Sequence, residues 1–398
     1  MKVLIVIPAI GVVYGGTSKL AIELAQSLGK SNLSVDVITT DANGAENLDI
    51  PLNTWIDQGS YRIRYFARWK LNEYKFSLSL TTWLFQHIND YDLVHTISLF
   101  TYPIALTHWL CRLRRIPYVA NPQGMLEPWA MSYKSRKKWL YYSLVEKPTL
   151  QTAGAIHMLS QAEAEGLKSL GLKTPLVIAP NGIHREDFEV LPDPELLYQR
   201  FSALRGKTLI LFLGRVDPKK GLDLLAKAFS QVHALFPQTH LVIAGPDNTG
   251  FLPTAQNFFA EAGCLEAVTF TGILTGTLKY AALSAAQIYV APSYSEGFSL
   301  SVLEGMASGL PCIFTTGCNF PEAAEAQVAD VVEIDADAIA QAMQHRLVDR
   351  ESAKALGQRA HQFILQHYTW DQIAEKLHQA YINILNLKIR TCFSSLEN

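Results

Sequence analysis

Val3-Leu4-Ile5-Val6-Ile7 is an unbroken apolar run of strand length, four of its five residues β-branched. A strand of that kind has no polar side to turn to water, so it belongs in a parallel sheet covered on both faces. The loop Pro8 to Gly16 follows, then a helical pattern from Thr17 to Gly29 through Leu20, Leu24 and Leu28, then a second strand at Ser34–Thr40. This β–loop–α–β order is the start of a doubly wound sheet. It continues through Leu93–His95, Pro117–Ala120, Ala155–Leu159 and Leu176–Ala179.

Turn and linker signals then gather at Pro180-Asn181-Gly182 and Leu191-Pro192-Asp193-Pro194. Beyond them the alternation restarts: strand Thr208–Leu213, loop Gly214–Gly221, helix Leu222–Phe236, and strands Leu241–Ala244, Val268–Phe270 and Ile288–Val290. The expected fold class is therefore α/β, with two Rossmann-like doubly wound domains over residues 1–185 and 186–372. The chain's 398 residues suffice for two such cores. Trp370 to Ile389 reads as a long amphipathic helix, and residues 373–398 are expected to pack back on the first domain. Two such halves facing each other would form one deep cleft, lined by the loops after the strands.

The totals exclude several classes. A hydrophobic share of 49% with 18% charged residues is that of a compact globular protein. A formal net charge of −2 gives no electrostatic case for nucleic acid. The five cysteines are scattered without a C-x-x-C pair, as in reduced cytosolic proteins. Met1 to Ile7 carries one lysine and breaks at Pro8 with no cleavage pattern, unlike a secretory leader. No apolar run reaches the roughly 18–20 residues of a membrane span. The expected location is the cytoplasm, with contact at the inner face of a membrane left open.

Chemistry concentrates in the loops. Gly214-Arg215-Val216-Asp217-Pro218-Lys219-Lys220-Gly221 joins a strand to a helix. Its Arg215 and Lys220 suit a pyrophosphate, as a bidentate fork and a point charge; a solvated basic loop is the plain alternative. Gly15-Gly16 at the first helix start lets backbone approach a phosphate or sugar, or simply makes a tight turn. The dinucleotide fingerprint G-x-G-x-x-G is missing there, which argues against a redox enzyme.

Ser293 to Pro311 is a loop running into a short helix, with Glu296 in the loop and Glu304 among the core-facing Val302, Leu303, Met306 and Ala307. Ser299 or Ser301 is expected to cap the helix and Gly309 to stop it. A buried carboxylate at Glu304 requires a partner. A glycosidase pair of Glu296 and Glu304 would need the carboxylates about 5–9.5 Å apart, whereas eight helical residues rise by about 12 Å. The two more plausibly hold opposite ends of one elongated ligand. Asp335-Ala336-Asp337 resembles a metal motif, but a helix cap at Asp337 explains it more simply. The basic, aromatic cluster Tyr133 to Tyr142 reads as a solvated helix face or as a patch resting on an anionic membrane.

The ordered set of Gly15-Gly16, Pro180-Asn181-Gly182-Ile183, Gly214-Arg215 with Lys220-Gly221, Ala244-Gly245, Phe270-Thr271-Gly272 and S-E-G-F-S-L-S-V-L-E-G-M-A-S-G-L-P resembles the retaining glycosyltransferases of family 4, of the GT-B fold. The resemblance implies a nucleoside-diphosphate sugar as donor and no bound metal or cofactor. It implies that Arg215 and Lys220 neutralise the diphosphate, that Glu296 contacts the transferred sugar, and that Glu304 accepts from the ribose. It places the amides of Phe298, Ser299 and Leu300 on the donor, the Gly272-Ile273 loop near the base, and Gly16 opposite the diphosphate on cleft closure. The first half is similar to bacterial polysaccharide-building members through Asn121–Ala130, with Gln123 where many relatives have histidine. His95 and Gln123 are the acceptor-side candidates, and the acceptor implied is a glycan or lipid-linked glycan. A nucleotide-sugar epimerase and a non-catalytic nucleotide-sugar-binding protein are the competing readings.

Overall fold

The computed structural model describes residues 1–69, 74–127, 130–131 and 135–394. It divides into two compact units, Met1–Asn181 with Trp370–Asn398, and Gly182–Thr369. The expected boundaries at 185/186 and 372/373 lie a few residues further along.

The first unit is built on β1 (Lys2–Ala9), α1 (Gly16–Lys30), β2 (Ser34–Thr40), β3 (Trp55–Asp57), β4 (Tyr61–Phe66), α2 (Leu78–His87), β5 (Leu93–Ile97), α3 (Tyr102–Arg114), β6 (Tyr118–Asn121), β7 (Ala155–Met158) and β8 (Leu176–Ile178). Its eight-stranded sheet runs β8-β7-β6-β5-β1-β2-β4-β3. Every pairing is parallel except β3 with β4. Val3 to Ile7 are all at most 1% exposed, as an all-apolar central strand requires. On α1 the buried stripe Leu20, Ala21, Leu24, Ala25 and Leu28 follows the helical period.

The second unit contains β9 (Thr208–Leu213), α4 (Leu222–Leu235), β10 (Thr239–Ala244), β11 (Val268–Gly272), α5 (Gly276–Ala285), β12 (Ile288–Ala291), α6 (Leu300–Ala307), β13 (Cys312–Thr315), β14 (Asp330–Val332) and α7 (Arg350–His367). Its six-stranded parallel sheet runs β11-β10-β9-β12-β13-β14. The chain leaves β9 towards β10 on one side and later reaches β12 on the other. This is the switch point at which open α/β sheets bind ligands.

The last helix, α8 (Trp370–Ser394), belongs to the first unit. It buries Ile373, Ala374, Leu377, Tyr381 and Ile384, and it packs against α1. A Cβ on Gly154 would lie 2.6 Å from Ile384 Cγ2, so helix and sheet meet without slack.

Candidate active site

The loops after β9 and β12 meet at the switch point of the second sheet. Gly221 closes the first with φ +68°, and a Cβ there would lie 1.9 Å from the Pro292 carbonyl oxygen. Glycine alone permits both the dihedral and the approach. Tyr294 N–H donates to the Lys219 carbonyl at 2.8 Å, fastening the two loops together. The second loop is held from below: Glu296 N–H donates to Gly317 O at 2.8 Å, Thr315 Oγ1 to Ser293 O at 2.5 Å, and Asn319 Nδ2 to the Glu296 carbonyl.

This scaffold brings Lys220 and Glu296 into direct contact. Lys220 Nζ donates to Glu296 Oε1, which also accepts from Ser293 Oγ at 2.8 Å. Both side chains of the ion pair are 12% exposed. Burial pushes the Glu296 carboxyl up, but the Lys220 charge and hydrogen bond, with Ser293 and Lys219, outweigh it and hold the group below its ordinary value. The glutamate is thus ionised and oriented, with its second oxygen still able to accept. Arg215 is the more accessible cation, its side chain 44% exposed and only 3.8 Å from Asp217 Oδ2. Asp217 is itself engaged, capping the turn Pro218–Lys220 through Lys219 N–H.

Glu304 is buried at 8% exposure, and the partner it requires is Lys279 of α5, whose Nζ donates to Oε1 at 2.8 Å. The two glutamates therefore bind different lysines and do not form a pair. Lys279 was not among the expected residues. Its only sequence signal is that it stands in the first turn of the helix that follows the Gly272-Ile273 loop.

The expected cap of α6 needs correction. Ser299 occupies the N-cap position, but its hydroxyl lies 3.2 Å from Ser301 Oγ and makes no capping bond. The first-turn amides of α6, beginning at Leu300, are thus left uncapped by side chains at the positive end of the helix. Phe298 turns its ring inward, against Phe320 at 5.1 Å and Tyr368 at 6.0 Å, which anchors the backbone before the helix. Gly309 does end α6, with φ +77°. At the end of β11, Gly272 has φ +70° and Ile273 is 54% exposed.

Asp335, rather than Asp337, caps its helix, accepting from Ala338 N–H at 2.9 Å. Asp337 accepts from Gln231 Nε2 at 2.7 Å. Among the described residues no group of three or more His, Cys, Asp or Glu side chains is placed to hold a metal ion.

In the first unit, Gly15 (φ +61°) precedes α1 and Gly16 opens it. His95 cannot serve an acceptor. It lies within β5 at 0% exposure, with Nε2 3.2 Å from His157 Nδ1 and Nδ1 2.5 Å from Tyr381 Oη. His157 Nε2 faces the Ala179 carbonyl at 2.6 Å, so it carries the proton; the one lone pair of His157 Nδ1 then accepts from Asn121 Nδ2 at 2.8 Å, with His95 Nε2 the more distant neighbour at 3.2 Å. Burial drives both rings' pKa down, His157 to about 4, so the network is neutral and structural. Gln123 has φ +56° in the turn after β6, and its Nε2 is buried with no hydrogen-bond partner among the described residues. A strained backbone and an orphaned donor keep Gln123 as the acceptor-side candidate.

Of the basic cluster, Tyr133 and Lys134 lie outside the described residues. Within Ser135–Tyr141, Arg136, Lys137, Trp139 and Leu140 are exposed. Lys138 turns back to donate to Ala130 O at 2.6 Å, its Nζ 4.7 Å from the Phe100 ring. No described helix is long and apolar enough to cross a membrane.

Two Rossmann-like domains, each built on a largely parallel sheet, are the architecture of the GT-B class of glycosyltransferase fold. Solved structures agree. A sucrose-phosphate synthase from Thermosynechococcus elongatus superposes with a TM-score of 0.79 at 21% identity, over 97% of this chain and 100% of that one. Anabaena HepE in complex with UDP and glucose gives 0.76 at 16% identity, over 96% and 100%. The chain belongs to the glycosyltransferases of this type: residues 14–187 match Glycosyltransferase Family 4, and residues 198–381 match Glycosyl transferases group 1. A curated relative, the GDP-mannose-dependent alpha-(1-6)-phosphatidylinositol monomannoside mannosyltransferase of Mycobacterium tuberculosis, is 26% identical over 219 residues, 52% of this chain and 56% of that protein. The chain thus spans about half the length of the curated relatives it matches first.

Proposed function

We propose that the protein transfers a hexose from a nucleoside-diphosphate sugar to a hydroxyl of a glycan or lipid-linked glycan, with retention at the anomeric carbon and without a bound metal. The observation that carries the reading is the buried Lys220–Glu296 pair beside Arg215 and the uncapped amides of α6, all at one switch point. As the donor's bond to phosphate breaks, negative charge grows on the leaving diphosphate. Arg215 and Lys220 answer it with fixed positive charge, and the N-terminus of α6 with oriented N–H groups. Glu296, ionised and pinned by Lys220 and Ser293, offers its remaining lone pairs to sugar hydroxyls. Glu304, anchored by Lys279, accepts from the ribose, and the Gly272-Ile273 turn lies near the base. The acceptor proton passes to a donor phosphate oxygen on the same face, so no protein base is needed there.

A donor of this class is supported by HepE, solved with UDP and glucose, and by the GDP-mannose-dependent relative. That relative acts on a phosphatidylinositol mannoside, which fits a role in building cell-surface glycans. Exposed Trp139, Leu140 and Leu144 beside Arg136 and Lys137 suit a peripheral contact with a membrane's cytoplasmic face. The test is a thermal-shift screen with UDP, GDP, ADP and their sugars, followed by product analysis with the best donor. One nucleotide should raise the melting temperature, since a ligand bound by the folded state alone stabilises it. No shift with any of them, or isomerised sugar formed without acceptor, would overturn the proposal.

A further inference from the structure

A second site lies at the β3 edge of the first unit's sheet, where α2 crosses β4. It is a pocket of about 540 Å³, within the range of small-molecule sites. None of its lining residues belongs to the loops described above. Its walls are of four kinds, the plainest being the apolar Phe66, Ala67 and Leu78. Trp69 and Trp83 supply aromatic surface: Trp69 is 53% exposed, yet its backbone is fixed by an N–H bond to Phe76 O at 2.8 Å and its ring packs edge-on against Phe76. Asn53, Gln86, Ser79 and Thr82 supply amide and hydroxyl groups, the Thr82 hydroxyl already donating to Leu78 O and so presenting an acceptor. Arg64 is the single charged side chain in the lining.

Arg64 distinguishes this pocket from an incidental surface dent. Its guanidinium lies 5.4–5.8 Å from the ring centres of Phe66, Trp55 and Trp83, and no carboxylate pairs with it among the described residues. Its Nε is buried without a hydrogen-bond partner. The neighbouring Arg62, by contrast, is satisfied by both oxygens of Asp36. An acyl chain would cover Arg64, Asn53 and Gln86 without offering them a partner, which is costly. A pyrophosphate would meet a single cation, and at the α2 N-terminus, where Leu78 and Ser79 line the pocket, Ser77 already caps the Leu80 amide. A sugar bearing a carboxylate suits these walls: its C–H face lies on the Trp69 indole and the apolar side chains, its hydroxyls meet amides and hydroxyls, and its carboxylate meets the half-buried Arg64 guanidinium.

We propose that this pocket binds a carboxylate-bearing sugar of a glycan chain, holding the acceptor by a residue away from the reacting hydroxyl. Only the word acceptor rests on the transferase reading; the binding itself does not. The test is calorimetric titration of the full chain with a glucuronate-containing tetrasaccharide and with its carboxyl-reduced, neutral counterpart, without nucleotide. The acidic form should bind at least about tenfold more tightly than the neutral one, the worth of one charge-assisted hydrogen bond. Trp69→Ala, at an exposed position that should not impair folding, and Arg64→Gln should each weaken it by a similar factor, while nucleotide-induced thermal shifts stay unchanged. No binding by the wild type, equal binding of the two saccharides, or undiminished binding by Trp69→Ala would each overturn the proposal. In transfer assays Trp69→Ala should raise the acceptor KM and leave kcat alone. Saccharide binding that depends on Trp69 without any transfer would sink the transferase reading and leave the pocket standing.

Discussion

Replacing Lys220 by methionine separates the two roles that its ammonium group combines. Glu296 and Lys220 are each only 12% exposed, and apart from Lys220 the carboxylate's side-chain hydrogen bond is to Ser293. Removing one member of such a pair leaves an uncompensated buried charge and costs about 3–5 kcal/mol, whereas replacing both members is often close to neutral. Lys220→Met should therefore lower unfolding free energy by about 3–5 kcal/mol, and Lys220→Met with Glu296→Gln should recover most of it. Activity should not recover: without its charge at the leaving phosphate, kcat/KM falls by about 2.7–4 kcal/mol of transition-state stabilisation in both variants. The pH dependence gives an internal check. Glu296 is held below its ordinary 4.5 in the folded state, so the pair's contribution is complete above that value and is lost as pH falls through the depressed one. In Lys220→Met burial is opposed only by the Ser293 hydrogen bond and the Lys219 charge, so the folded pKa moves up and the loss of stability on acidification shrinks. Urea unfolding from pH 4 to 8, with transfer rates on the identified donor, reads both. A single variant as stable as the wild type would refute the buried-pair reasoning, and an active double variant would remove Lys220 from the reacting phosphate.

Glu146 is buried with its pKa raised to about 7 by desolvation, against a weaker lowering by the Phe100 N–H bond. Stability from such a group is complete below its ordinary 4.5 and is lost as pH rises towards 7. Glu146→Gln should thus stabilise the protein by about 3 kcal/mol at pH 8 and hardly at all at pH 4, as thermal melts at the two values would show. His95→Ala leaves a cavity and strands the Tyr381 hydroxyl, so unfolding free energy should fall by about 2–5 kcal/mol. The acceptor KM should hold; a raised KM with unchanged melting would return the ring to the substrate. Gly221→Ala forces a side chain against the Pro292 carbonyl, and should destabilise by at least about 1–3 kcal/mol and depress kcat/KM by displacing both Lys220 and the Glu296 loop.

The two wound sheets were readable because buried parallel strands show as plain apolar runs, and Val3–Ile7 and Thr208–Leu213 need no tertiary information. The strands that escaped notice have local reasons. In β4, Tyr61-Arg62-Ile63-Arg64-Tyr65-Phe66, two arginines break the apolar signal, one spent on Asp36 and the other packed on aromatic rings. β13 follows directly on Leu310-Pro311, where the chain had read only as the end of a helix, and β14 is a three-residue edge strand. Arg215, Lys220, Glu296 and Glu304 were visible as residue types in the right loops. Their partners were not: Lys220 and Glu296 are 76 residues apart, and Lys279 looks like any lysine on a helix. His95 was misjudged because a histidine in a strand gives no hint that Tyr381, from the far end of the sequence, will close over it.

The placement of α8 has a consequence for how the polypeptide is made. Everything of the first domain up to Asn181 leaves the ribosome early, but Tyr381, Leu377 and Ile384 are translated only after the whole second domain. At roughly 5–20 residues per second, the second domain's synthesis takes on the order of ten seconds or more, during which the β5–β7 region lacks its cover. The nascent first domain waits with His95 and Gly154 uncovered, while the second domain, continuous in sequence, can complete its core unaided. Birth order and folding order are thereby reversed: the half synthesised first is the half finished last.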